Sequence, residues 1–149
     1  MKQIIMKRLI WIALCGILFS FSKIGGDSYT IHLNEKQILE RYVHSNAATP
    51  SFSLGQSSPN DQISVYYNEC GRIGKERRLS IRDEKDVILK EWQFANVTGE
   101  HTPMTCKVKD ITSLRKNGNS KLRLYYASRE AKGMLLATIE VSDNLKASR

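Results

Sequence analysis

The sequence of 149 residues has none of the short motifs that hold a metal ion or activate a nucleophile. Its histidines, His32, His44 and His101, are far apart, and neither a His-x-x-x-His nor a Cys-x-x-Cys spacing occurs. A zinc site is therefore not predicted. The Gly-x-Ser-x-Gly elbow of many serine hydrolases is also missing. We expect a protein without metal, without cofactor and without catalytic activity.

Long apolar runs are scarce as well. One uncharged apolar run of about 13 residues extends from Leu9 to Phe21, after the basic residues Lys2, Lys7 and Arg8. Small residues follow it, which is the pattern of a secretory signal peptide. We predict a signal over residues 1–26, cleaved between positions 22 and 27. The alternative, an uncleaved anchor, is disfavoured because roughly 20 apolar residues are needed to cross a bilayer.

The remaining residues, 27–149, have the length of one ordinary domain and contain no linker, repeat or low-complexity segment. The formal charge of the whole chain is +8, and loss of Lys2, Lys7 and Arg8 with the signal leaves +5, or +4 where cleavage also removes Lys23. This charge favours loose association with anionic surfaces. An exported chain seldom meets nucleic acid. We therefore expect a periplasmic or secreted protein with no nucleic-acid partner and no transmembrane span after signal removal.

Cysteine is rare, and Cys15 lies within the predicted signal. The remaining pair, Cys70 and Cys106, suggests a disulfide, because exported proteins oxidise paired cysteines. The alternative is two buried free thiols that pack as small apolar side chains. Both interpretations stay open, since the distance between the two α-carbons decides between them.

The centre of the chain, residues 61–94, contains three apolar-rich runs of strand length. They occupy residues 63–69, 78–82 and 87–94 and are separated by short turns. This spacing predicts an antiparallel meander. In the first run Ile63, Val65 and Tyr67 share one face. The third run does not alternate cleanly, which indicates a strand that is covered on both sides or kinked by a bulge.

The flanking segments are also mostly predicted strands. Residues 28–43 favour a hairpin with a turn at 34–36, and the alternative is a short helix capped by Asn34. Residues 45–60 are expected to form a loop or a ragged edge strand. Asp110 is predicted to cap one helical turn. Further strands are predicted near residues 104–108, 122–126 and 135–141, and in the last of these Leu135, Ala137, Ile139 and Val141 are expected to point one way.

Seven or eight short strands with regular turns and no long helix indicate an all-β protein. An antiparallel two-sheet sandwich, immunoglobulin-like or jelly-roll-like, fits this pattern best. A small β-barrel is the alternative.

Several stretches together carry a resemblance. They are DQISVYY at residues 61–67 leading into Cys70-Gly71, then Gly74-Lys75 and Arg77, then LKEW at 89–92 with Phe94, and LRLYY at 122–126. In these stretches the chain resembles small exported β-sandwich proteins of Bacteroidetes-type bacteria. The resemblance implies the fold class and a location in the cell envelope. It implies no catalytic residues.

Basic side chains recur at outward positions of the predicted strands. If these strands are neighbours, the residues form a positive face edged by Tyr66 and Tyr125, suited to an anionic envelope glycan or an acidic envelope protein. The alternative is that they only prevent strand edges from aggregating. The candidate binding residues are Arg78, Arg82, Lys107, Lys109, Lys121 and Arg123.

The sequence therefore favours an exported, non-catalytic binding or structural module. One alternative is binding of a glycan or acidic protein through the basic face. Another is a periplasmic enzyme inhibitor. An inhibitor of a basic hydrolase such as lysozyme should be acidic, and this chain is basic, so that target is disfavoured.

Overall fold

A computed structural model describes residues 26–43, 47–55, 60–98, 102–115 and 121–142. The predicted signal, up to residue 25, lies outside these ranges. The described part contains nine strands and one short helix: β1 (Ser28–Leu33), β2 (Lys36–Tyr42), β3 (Ser51–Leu54), β4 (Gln62–Asn68), β5 (Arg78–Arg82), β6 (Ile88–Gln93), β7 (Met104–Lys107), α1 (Val108–Thr112), β8 (Lys121–Ala127) and β9 (Met134–Val141).

The strands form two open sheets. The four-stranded sheet has the order β2-β1-β4-β7, and the five-stranded sheet has the order β3-β9-β8-β5-β6. The predicted β-sandwich is confirmed, and the barrel alternative is wrong because neither sheet closes on itself. The described residues contain more strands than the seven or eight expected, since β3 is a true strand.

The core lies between the sheets and follows the alternation in the sequence. Ile63, Val65 and Tyr67 of β4 are buried, as are Leu79 and Ile81 of β5. Successive residues of a strand point to opposite faces, so alternate residues of β4 and β5 point into the core. The shared face predicted for Ile63, Val65 and Tyr67 is confirmed.

The hairpin predicted at the start of the domain is also confirmed. β1 pairs antiparallel with β2, and Asn34 adopts a positive φ of 53° in the turn between them. Asparagine tolerates this left-handed conformation better than most residues. The helical alternative for residues 34–43 is wrong, because pairing with β1 satisfies the backbone of this segment.

The predicted meander is wrong in one connection. β5 and β6 form an antiparallel pair, whereas β4 belongs to the other sheet. The β4–β5 connection, residues 69–77, is long enough to cross the roughly 10 Å between packed sheets. The expected irregularity of β6 is present as a register shift opposite Ile81 and Arg82. β6 is nevertheless an edge strand and is not covered on both sides.

Two local expectations at the end of the chain also change. β3 pairs parallel to β9, whereas the other strand pairs within the described ranges are antiparallel. A register shift between Leu124 and Tyr125 brings both Leu136 and Ala137 into the core, so Leu135 is only partly buried. An extra residue in a ladder reverses the side-chain alternation beyond it.

The short helix begins earlier than predicted. α1 starts at Val108, directly after β7, and Lys107 occupies its N-cap position. Asp110 therefore lies inside the helix, where its carboxylate pairs with Lys90 at 3.0 Å. No helix in the described ranges is long and apolar enough to cross a membrane.

Candidate functional site

The outer face of the four-stranded sheet carries a half-open groove of about 540 Å³. Its floor is formed by outward-facing residues of β1 and β4, where Thr30 is paired with Tyr66 and Ser28 with Asn68. Their sequence neighbours point into the core, so these polar side chains point to solvent. The walls are Glu40 on β2, residues 71–73, residues 97–98 and Thr102. We call this surface the polar groove.

The first wall is a tight turn after β4. The backbones of Glu69 and Arg72 exchange hydrogen bonds of 2.8 and 2.9 Å. The two residues between them, Cys70 and Gly71, both have positive φ, at 48° and 84°. Two positive φ values in succession define the tight turn that best fits the twist of paired strands. The Asp27 carboxylate accepts a hydrogen bond from the Cys70 backbone N–H at 3.1 Å and holds this turn against β1.

A buried carboxylate joins this wall to the opposite sheet. Glu69 is only 6% exposed, and its Oε1 accepts hydrogen bonds from the Tyr126 hydroxyl at 2.7 Å and the Ser128 hydroxyl at 2.5 Å. Burial, and then the bond to Glu69, raise the pKa of Tyr126 well above its ordinary value. Gly74 packs directly on this cluster, since a Cβ there would lie 2.7 Å from the Tyr126 hydroxyl. The base of the wall is therefore closely packed.

A buried cation holds the second wall. Arg77 is 2% exposed, and its guanidinium donates to the Thr102 carbonyl at 2.9 Å and to the Ala95 carbonyl at 3.4 Å. Burial lowers the pKa of Arg77. Its Nε finds no partner among the described residues. Because Thr102 lines the groove, this side chain fixes the β6–β7 connection beside it.

Stacked tyrosines support the floor from below. The rings of Tyr67 and Tyr126 stack with centroids 4.0 Å apart, and Tyr29 stacks on Tyr67 at 6.1 Å. The Tyr67 hydroxyl donates to Asp27 at 2.9 Å, and the Tyr29 hydroxyl donates to the Leu136 carbonyl at 2.5 Å. Burial, followed by the bond to Asp27, raises the pKa of Tyr67. These contacts connect the two sheets under the groove.

The polar side chains that face the groove have fewer partners within the protein than those beneath it. Six of them make no hydrogen bond or ion pair with any described residue: Ser28, Thr30, Tyr66, Asn68, Arg72 and Thr98. The Tyr66 ring lies against His32, with centroids 5.0 Å apart and planes inclined by 57°. The groove therefore presents hydroxyl, amide and guanidinium groups on a supported floor.

Glu69 and Arg77, which anchor the walls, were missed from sequence as site residues. The signal that could have found them is the strand alternation. Glu69 continues the inward series of Val65 and Tyr67, and Arg77 precedes Leu79 in the inward series of β5. A charged residue in an inward series must find partners inside the protein.

Four of the six predicted basic residues lie on the outer face of the five-stranded sheet. Arg82 and Arg123 are direct cross-strand partners, and Arg78 and Lys121 are exposed on the same face. Lys107 ends β7 in the other sheet, and Lys109 is exposed on α1. The six residues therefore do not form one face.

Arg82 and Arg123 also have partners within the protein. The Arg123 guanidinium and the Tyr125 hydroxyl both donate to Asp86 Oδ1, at 2.9 and 2.8 Å. The guanidinium carbon of Arg82 lies 4.2 Å from the centre of the Tyr125 ring. Hydrogen bonds from Tyr125, and then from Arg123, lower the pKa of Asp86. The predicted positive charge is partly neutralised here by an acidic turn.

The disulfide interpretation of Cys70 and Cys106 is wrong in this structure, where both cysteines are free. Cys106 is the cross-strand partner of Ile63, at the opposite end of β4 from Cys70. The strand from Ile63 to Asn68 alone spans roughly 16 Å, more than twice the α-carbon distance a disulfide allows. Cys106 is buried, as its alternative predicted, whereas Cys70 is exposed.

Among the described residues, no three His, Cys, Asp or Glu side chains converge in a way that could hold a metal ion. A scan of protein-family models finds no match to this chain. A search of curated proteins finds no significantly similar sequence.

Proposed function

We propose that this protein is an exported, non-catalytic binding module that holds its ligand in the polar groove. One observation carries the proposal: polar groups beneath the groove are bonded to one another, whereas six polar side chains that face it have no partner among the described residues. Unpartnered donors and acceptors that converge on one concave surface are what a polar ligand needs for orientation. Export is supported by the signal pattern of residues 1–26.

The anchoring of the walls supports the same function. Taking a charged side chain out of water costs free energy even when it is bonded, and Glu69 and Arg77 both carry this desolvation cost. Each of them fixes one wall of the groove. Rigid walls reduce the entropy that is lost when a ligand binds. Ligand binding by the groove therefore accounts for two charged residues in the protein interior.

The buried cluster supports a non-catalytic role. The Ser128 hydroxyl donates to Glu69 and accepts hydrogen bonds from the backbone N–H groups of Glu130 and Ala131. Neither Ser128 nor Glu69 lines the groove. A nucleophile or a general base must reach the reacting atom of the substrate. We therefore assign these groups to support of the groove.

The experiment is a capture assay with a blocked groove. The full chain is immobilised in three forms, wild type, Thr30→Trp and Thr138→Trp, and exposed to an envelope extract of its source. Both threonines are half-buried outward residues of interior strands, but Thr138 lies on the other sheet. We expect wild type and Thr138→Trp to retain the same protein or carbohydrate, and Thr30→Trp to lose it.

Equal retention by all three forms, or retention by none, would contradict the proposal. Circular dichroism and thermal melting establish that both tryptophan variants are folded. Amide chemical-shift changes on adding the eluted material should map to Thr30, Tyr66 and Arg72.

A further inference from the structure

The groove also indicates the chemical class of its ligand. We propose that the polar groove binds an acidic saccharide, with the carboxylate on Arg72 and the sugar hydroxyls on the floor residues. This inference rests on the proposed function, because it assumes that the groove is the binding site.

β1, in the centre of the groove, offers no free edge to a peptide added as a strand. β1, in the middle of the floor, is paired with β2 on one side and β4 on the other. Its backbone groups are therefore already used. A peptide that extends a sheet needs free main-chain donors and acceptors at an edge. A ligand that lies on β1 must therefore be recognised by side chains.

The side chains of the floor match a hydroxyl-rich ligand. Ser28, Thr30 and Tyr66 of the floor, and Thr98 of a wall, each present a hydroxyl, which both donates and accepts hydrogen bonds. Sugar hydroxyls have the same dual character. The Tyr66 ring, supported by His32, adds an apolar surface for the C–H groups of a sugar ring. From β2 across β1 to β4 the groove spans roughly 10 Å, enough for one or two sugar rings.

Within the described ranges the walls carry one cation, Arg72, and one anion, Glu40, and the free guanidinium of Arg72 suits an acidic sugar. Arg72 is exposed, its backbone is held by Glu69, and its guanidinium has no partner among the described residues. On the opposite wall, the Glu40 carboxylate already accepts a hydrogen bond from Gln37 at 3.0 Å. The nearby Asp27 carboxylate accepts three hydrogen bonds, from Tyr67 and from the N–H and thiol of Cys70. A guanidinium fork suits a carboxylate, which it can bind with two parallel bonds.

The test compares each acidic sugar with its own neutral derivative. Oligogalacturonate, oligoglucuronate and oligomannuronate are titrated into the full chain by calorimetry, each beside its methyl ester. The ester keeps every hydroxyl and loses the charge. We expect at least one acid to bind and its ester to bind roughly tenfold to hundredfold more weakly. Added salt should weaken binding of the acid, because the Arg72 contact is exposed.

Three variants locate the contact. Arg72→Gln should reduce affinity for the acid by about the same factor as esterification, whereas Arg72→Lys should lose less because it keeps the charge. The matched control is Arg78→Gln, which removes an exposed arginine from the other sheet. It should leave the affinity unchanged.

Other outcomes separate this inference from the proposed function. Equal binding of acid and ester, or an acid affinity insensitive to Arg72→Gln, overturns the acidic saccharide and leaves the groove as the binding site. The same conclusion follows if no saccharide binds and the capture assay retains a protein that Thr30→Trp loses. If no probe binds and capture is also insensitive to Thr30→Trp, both proposals fail.

Discussion

The Tyr126 hydroxyl donates a 2.7 Å hydrogen bond to the Glu69 carboxylate, which joins the two sheets through residues 57 positions apart. Glu69 follows the last residue of β4, and Tyr126 lies in β8 of the other sheet. This contact places a wall of the polar groove on the rigid core. The stability of the domain and the shape of the groove therefore depend on the same side chain.

Removing this carboxylate should destabilise the protein. We expect Glu69→Ala to lower the free energy of unfolding by roughly 2–4 kcal/mol, because it leaves the buried hydroxyls of Tyr126 and Ser128 without their acceptor. Urea unfolding measures the change. Glu69→Gln keeps an acceptor and should cost less. The control Glu91→Ala, at an exposed position of β6, should stay within about 0.5 kcal/mol of wild type, and an equally mild Glu69→Ala would contradict the anchoring role.

The close packing at Gly74 makes a second prediction. Gly74→Ala should lower the free energy of unfolding by roughly 1–3 kcal/mol, since its new methyl group would overlap Glu69 and Tyr126. In the Glu69→Ala background the same change should cost less, because part of the overlap is gone. The control is Gly26→Ala, in protein that retains residue 26, because a Cβ there would lie 3.8 Å from the Val43 carbonyl oxygen. If the two changes in the free energy of unfolding are additive in the double variant, the cost of Gly74→Ala does not come from overlap with Glu69.

The two cysteines should differ sharply in reactivity. Iodoacetamide should label exposed Cys70 in the native protein and Cys106 only after unfolding, since burial raises the pKa of Cys106 to about 12. Peptide mass spectrometry identifies the labelled thiol. Reduction beforehand should change nothing, because neither cysteine is bridged. If iodoacetamide labels both cysteine peptides only after reduction, the disulfide interpretation is correct.

The hydrogen bond to Asp27 should slow the reaction of Cys70. This bond raises the pKa of the thiol, so less thiolate is present at a given pH. In Asp27→Ala the labelling rate of Cys70 should therefore rise at lower pH than in wild type. Glu35→Ala, which removes an exposed carboxylate from the β1–β2 turn, is the control. Superimposable rate–pH profiles in all three proteins would contradict this effect.

The cluster around Asp86 should titrate abnormally. Hydrogen bonds from Tyr125 and Arg123 lower its pKa in the folded protein, so its contribution to stability is present above the ordinary aspartate pKa and is lost as the pH falls through the lowered value. We expect Tyr125→Phe to raise the Asp86 pKa, measured by NMR titration of its carboxyl carbon. Tyr66→Phe, on the other sheet, should leave it unchanged. A curve unaffected by Tyr125→Phe would show that the bond does not form in solution.

Several strands could be predicted from sequence because strand alternation is local. The inward positions of β4, β5 and β8 follow directly from residues two apart, and so does the hairpin of β1 and β2. The connection of β4 to β5 could not be predicted in this way, because the alternation of each strand is the same whichever sheet it joins. The same limit applies to β3, whose partner β9 is distant in sequence.

The candidate site could be predicted only in part. The outward basic residues could be predicted, because the alternation within each strand shows which side chains point outward. Their division between two sheets depends on the topology and could not be predicted. The groove was not found, because its floor comes from β1 and β4 and its walls from two connections that cross between sheets. Glu69 and Arg77 could have been predicted, because each is a charged residue at a position where strand alternation indicates an inward side chain.

The sequence by itself determined the class of this protein: short alternating strands, turns in between and one sandwich of two sheets. The alternation is a property of each strand, and burying one face of each strand is enough to require a second layer. The tertiary structure decided which strands are neighbours, that Cys70 and Cys106 are far apart, and that two buried charges hold the walls of a polar groove. Those outcomes depend on distances between residues that are far apart in the chain, and such distances are set only when the two sheets pack together.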